Sequence, residues 1–201
     1  MRRLFLASLS LDGLPEFLGG ARGRRAAWVP TAADPLEDRE RVRALFAGML
    51  ESIGLSLLPV ELDRDADPTI AVRLAASDLV IVTGGDPFHL LARARASGFD
   101  RALQTRADLP YVGVSAGAIL VGPSLEPHVL TSPFAPAKGQ PLEGLGLTEH
   151  VVLPHHDREE RALLHDVAKQ KHGARWTLTP LRDDEALIVD GDGRSHIVTS
   201  R

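Results

Sequence analysis

The chain has 201 residues, 44% of them apolar and 25% charged, with a formal net charge of −4 and no cysteine. That length suits one compact domain, 1–201, with a sizeable core. The composition excludes disulfides, zinc–thiolate sites and a thiol nucleophile. The weak negative charge gives no reason to expect a nucleic-acid partner, and the short basic stretch Arg22-Gly23-Arg24-Arg25 reads as a solvated loop.

The N-terminus, MRRLFLASLSLDGLPEF, sets two arginines before an apolar run. Ser8, Ser10 and Asp12 break that run and no small-residue cleavage site follows, so a first strand, Leu4–Ser8, is expected rather than a signal peptide. Further strands are expected at Ala26–Pro30, Leu55–Val60, Asp78–Thr83, Tyr111–Val114, His150–Leu153 and Ala186–Asp190. Between them, Val42, Leu45, Phe46, Met49, Leu50 and Ile53 recur at helical spacing, which predicts a helix over 37–53 that ends at Gly54. Pro87 suits the first turn of a helix over 87–96, and a third helix is expected over 158–171. Asp190-Gly191-Asp192-Gly193 before Ser195–Thr199 reads as the turn of an antiparallel edge hairpin. It lacks the ligand spacing and closing glutamate of a calcium loop. No internal repeat is visible, and no run approaches the roughly 20 apolar residues that span a bilayer. A cytoplasmic location without a membrane partner is expected.

This alternation predicts an α/β fold, a doubly wound and mostly parallel sheet flanked by helices, with functional loops at the carboxyl ends of the strands. Two unusual loops stand at such ends: Thr83-Gly84-Gly85-Asp86 and Gly113-Val114-Ser115-Ala116-Gly117. The second fits G-x-S-x-G between strand and helix, a sharp turn that projects a serine hydroxyl and aims backbone N–H groups at one spot. Glycines belong two positions to either side because larger residues there would collide with backbone. The glycine pair offers a second N–H donor, since a backbone amide approaches a substrate closely only where no side chain intervenes. A nucleophilic serine also needs a base. The informative stretch is VVLPHHDREER at 151–161, where His155 and His156 follow an apolar run and a proline. Adjacent residues such as His155, His156 and Asp157 rarely point at one ion, so no metal is expected there.

Taken together, TGGDPFHLL, VGVSAGAIL and GLGLTEHVVLPHHD resemble the S51 serine peptidases, a family that includes aspartyl dipeptidases and cyanophycinases. The resemblance spans about 78–160. It implies a fold like that of the class I glutamine amidotransferases, which carry cysteine at this elbow; Ser115 there disfavours amidotransferase chemistry. Carried over by position, Ser115 is the nucleophile, His155 the base with His156 a lesser candidate, and Gly85 and Ala116 the oxyanion donors. Where the aspartyl dipeptidases have an Asn-Asp pair past the serine, this chain reads Leu130-Thr131-Ser132-Pro133. Glu126 is therefore the expected triad acid, and Asp157, too close to His155 in sequence to face it easily, the lesser one.

The reaction implied is hydrolysis of short peptides by a dipeptidase or exopeptidase, through an acyl-enzyme, with no metal or organic cofactor. For a substrate beginning with aspartate, Arg158 and Arg161 are candidate carboxylate clamps, and Asp86 or Glu159 candidate ammonium partners. An esterase-like serine hydrolase and a non-catalytic binding module on the same fold are the alternatives. The expected partner is a short peptide substrate, with a homo-oligomer left open.

Overall fold

The computed structural model describes residues 2–65 and 67–200. Among these described residues the strands are β1 Leu4–Ala7, β2 Arg25–Val29, β3 Ser56–Pro59, β4 Leu79–Val82, β5 Tyr111–Val114, β6 His150–Leu153, β7 Thr177–Pro180, β8 Glu185–Val189 and β9 Ser195–Thr199. The α-helices among the described residues are α1 Leu14–Leu18, α2 Arg39–Ser52, α3 Asp67–Ala75, α4 Pro87–Ala96, α5 Phe99–Thr105, α6 Ala116–Leu120, α7 His128–Thr131 and α8 Glu159–His172.

Seven strands form one sheet in the order β3-β2-β4-β5-β1-β8-β9. The five from β3 to β1 are parallel, and the hairpin β8–β9 adds antiparallel to β1. LFLA and LVIV are apolar at every position because both faces of their strands are covered, as parallel sheets require. Successive side chains go to opposite faces. Leu4 and Leu6 join the core that includes Phe88, Leu91, Phe99 and Leu120, whereas Phe5 and Ala7 join Phe46, Leu50 and Phe17 on the other side.

The central order β4-β5-β1 positions the site. These strands are adjacent and parallel, so their carboxyl ends set Gly84-Gly85, Ser115 and Ser8 side by side. The β8–β9 hairpin forms as expected, at the sheet edge. The segment at 150–153 departs from expectation. It lies outside the main sheet and pairs in parallel with β7 as a separate two-stranded ribbon. Its residue Val152 shares the core of Ala116 and Ile119 of α6, which ties the ribbon to the Ser115 turn. The unanticipated elements, β7, α1, α3, α5 and α7, are short, four to nine residues, and give little periodicity to read. No helix among the described residues is long and apolar enough to cross a membrane.

Candidate active site

Ser115 sits between β5 and α6 at φ 50°, ψ −108°, a conformation a non-glycine residue holds only when its surroundings impose it. The restraints are visible. Ser115 N–H donates to the Ala7 carbonyl at 2.9 Å, and its own carbonyl accepts from Ala118 and Ile119 of α6. The buried Tyr111 hydroxyl donates to Gly117 O at 2.8 Å, bracing the turn from below. A Cβ at Gly113 would lie 2.5 Å from the Gly117 carbonyl oxygen, and one at Gly117 would overlap the Val82 carbonyl. The two glycines thus answer to backbone approach. Gly85 has φ 144° and rests against the Ala32 carbonyl, so that loop too accepts no side chain.

The ribbon brings His155 to the serine. Its Nε2 lies 3.2 Å from Ser115 Oγ. On the other side of the ring, Nδ1 lies 2.5 Å from Asp183 Oδ1. Nδ1–H donating to that carboxylate leaves Nε2 with the lone pair that accepts the Ser115 hydroxyl. His155 also has a positive φ, 67°, and is the only other described non-glycine residue that does. Its N–H donates to Ser8 Oγ at 2.7 Å, and Ser8 Oγ–H donates to Asp183 Oδ1 at 3.2 Å. One fully buried hydroxyl at the end of β1 therefore fixes both the backbone of the base and the oxygen that orients it.

Burial holds the His155 imidazole below its ordinary pKa. The Asp183 hydrogen bond opposes this, and Arg158 and Arg161 push the same way as burial. The ring is therefore neutral at pH 7 and able to accept a proton. For Asp183, burial works to raise the carboxyl. The bonds from His155 and Arg158 outweigh it and keep the group below the usual carboxylate range.

Ser115, His155 and Gly85 line one cavity of about 360 Å³, together with Arg158, Arg161 and His128. The volume suits a small ligand. Arg158 is committed to the carboxylate on His155: its Nε and Nη2 reach Asp183 Oδ2 at 3.2 and 2.8 Å. Arg161 donates through Nη1 to the Thr131 carbonyl and forms no ion pair among the described residues; its Nε is buried without a partner. His156 stacks on His165 of α8, with the two Nδ1 atoms 3.1 Å apart, and is not among the residues that line the cavity.

Three sequence expectations change. Glu126 does not reach His155; its carboxylate bonds Arg175 at 3.1 Å on a half-exposed surface, and Asp183 takes the place at Nδ1. Asp157 instead accepts the N–H of Asp183 at 3.1 Å, supporting the acid from its backbone. Asp86 caps α4, its Oδ1 accepting from the amides of Phe88 and His89, and Glu159 is exposed in the first turn of α8; neither lines the cavity. Sequence reasoning missed Asp183 and Ser8. Asp183 lies in LRDDEALIV, ahead of the strand that pairs with β1, and the antiparallel register Ala7↔Ala186 is what brings it near Ser8. Among the described residues, one trio has metal-ligand proximity, Asp34, Asp63 and His89. Arg43 and Arg93 already pair with its carboxylates, and none of the three lines the Ser115 cavity.

The profile of peptidase family S51 matches residues 8–197. The chain belongs to peptidase family S51. Family membership makes it a peptidase, a hydrolase. It is 28% identical to an uncharacterized peptidase of Listeria innocua over 94% of this chain and 93% of that one. It is 31% identical to a peptidase E of Streptomyces coelicolor, over 91% of this chain and 74% of the relative. A solved peptidase E structure from Listeria monocytogenes superposes with a TM-score of 0.82 at 25% identity, covering all of both chains.

Proposed function

We propose that this S51 peptidase hydrolyses short peptides as a serine enzyme, through an acyl-enzyme on Ser115. The observation that carries the reading is the continuous chain Ser115 Oγ, His155 Nε2, His155 Nδ1, Asp183 Oδ1 at the mouth of a ligand-sized cavity. His155 accepts the Ser115 proton as Oγ attacks the scissile carbonyl. Ionised Asp183 holds the imidazole in the right tautomer and stabilises its cationic form. Developing charge on the carbonyl oxygen is met by the N–H groups of Gly85 and Ala116, each such donor worth roughly 3–4 kcal/mol in transition-state free energy. His155 then gives its proton to the leaving amine, and water, activated by the same ring, releases the acid and regenerates Ser115. Ser8 is a positioning residue for His155 and Asp183, and Arg158 a positioning residue for Asp183.

Arg161 is the candidate to bind a substrate carboxylate, because it lines the cavity and has no counter-ion among the described residues. The acyl residue of the substrate is accordingly acidic, as in a peptide beginning with aspartate. A cytoplasmic setting fits a chain without cysteine.

The test is a fluorophosphonate probe followed by intact-mass analysis, with a dipeptide panel varied at the first residue run in parallel. One adduct that maps to Ser115, with fastest turnover on acidic first residues, is the expected result. No adduct on the folded protein would overturn the serine mechanism. Faster turnover of small esters than of any peptide would make it an esterase.

A further inference from the structure

Helix α8 packs on the molecule through unexpected residues. Its buried positions are His165, Ala168 and His172. Its large apolar residues point outward: Leu163 is 64% exposed, Leu164 39% and Val167 50%. The helix packed beside it, α7, leaves Val129 45% exposed. A surface helix ordinarily turns its apolar stripe to the core and its polar residues to water. Single exposed leucines need no explanation, whereas three on one helix face mark a contact surface. Glu160, Leu163, Leu164, Val167 and Lys171 recur at i, i+3, i+4, i+7 and i+11, which sets them in one stripe along α8.

The charges on that stripe have a direction. Glu160 stands at its amino-terminal end and Lys171 at its carboxyl-terminal end, both exposed, and neither forms an ion pair among the described residues. Asp166 and Lys169, off the stripe, pair with each other at 3.6 Å. Reversing such a stripe exchanges its acidic and basic ends, so it complements its own antiparallel copy. Ion pairs at both ends then fix the register of the apolar contact between them. A lipid surface fits less well: it selects apolar residues flanked by basic ones, and Glu159, Glu160 and Asp166 are acidic.

We infer that the outer face of α8 is the contact between two copies of this chain. The helices pack antiparallel across a two-fold axis midway between positions 165 and 166, an isologous arrangement in which one patch serves both protomers. Leu164 of one protomer then lies opposite Val167 of its partner, with Leu163 beside them, and Glu160 opposite Lys171 at each end. The inference goes beyond the serine peptidase reading and does not rest on it.

The test is sedimentation velocity of the full chain at pH 7 and low salt, from about 1 to about 200 µM. Wild type should form a reversible dimer whose Kd falls between about 1 and 100 µM. The Leu163→Glu, Val167→Glu double variant should stay monomeric over the whole range, with circular dichroism and thermal melting showing that it folds. Glu160→Lys and Lys171→Glu should each weaken the dimer at least about tenfold, because each sets like charges face to face at both ends. Combined in one chain, the two reversals restore opposite charges, and the Kd should return to within about threefold of wild type. A wild-type chain that is monomeric at about 200 µM overturns the inference. So does a dimer that survives the Leu163→Glu, Val167→Glu change, or a double reversal that associates no more tightly than the single ones.

Discussion

The two halves of the proposed catalytic machinery are built differently. Ser115 stands on the main sheet, in one strand–turn–helix unit whose glycines and brace lie within residues 111–119. His155, Arg158 and Asp183 come from the loops at the carboxyl ends of β6 and β7, the ribbon that stands apart from that sheet. The first half is local and rigid. The second is assembled from segments 28 residues apart, and Ser8, 147 residues from His155, joins it to the sheet. A nucleophile can be specified by one turn, whereas its base and acid depend on tertiary packing.

Removing the local half should cost most. Ser115→Ala should fold normally and lose at least about 10⁴-fold in kcat, because members of a triad act as a unit. Steady-state assay with thermal melting checks both points. The joint between the halves comes next. Ser8→Ala should lower kcat by about 10- to 100-fold with little change in KM, since it misplaces the base without touching substrate binding. Ser8→Thr, which keeps the hydroxyl, should recover part of that loss. An equal rise in KM, or no rescue by threonine, would contradict the positioning role.

The pH profile sharpens the comparison further. In the proposed mechanism the neutral form of His155 is the active one, and its pKa lies below the ordinary value near 6.5. The acid limb of kcat/KM should therefore fall below that value, with activity lost as the pH drops through it. Arg158→Ala removes a cation that lowers the His155 pKa, so the limb should move to higher pH, by less than about one unit. A limb that moves to lower pH would contradict that assignment. The smallest effect is expected at Glu126. Glu126→Gln breaks a pair whose side chains are 43% and 65% exposed, worth about 0–1 kcal/mol at such a surface, and kcat/KM should stay within about twofold.

What was readable in the sequence follows the same division. The parallel core announced itself through doubly apolar strands, and the Ser115 turn through glycines whose backbone contacts leave no alternative. Pro154-His155 was legible as a strand end, although the ribbon that carries it was not, because β7 is four residues of mixed burial. Asp183 was hidden for a physical reason. It is one of three consecutive acidic residues, 183–185, and only the register of β8 on β1 distinguishes it from Asp184. Glu126 was favoured by its nearness to the serine in sequence, and the turn after α6 carries it to Arg175 instead.

The central claim is that Asp183 completes the assembly around His155. The direct measurement is kcat/KM of Asp183→Asn beside Glu126→Gln, on the best substrate of the panel and with both proteins shown to be folded. The account predicts a loss on the order of 10³- to 10⁴-fold for Asp183→Asn, as for the loss of a triad acid, and near wild-type activity for Glu126→Gln. A large loss at Glu126 with Asp183→Asn within about tenfold of wild type would contradict it.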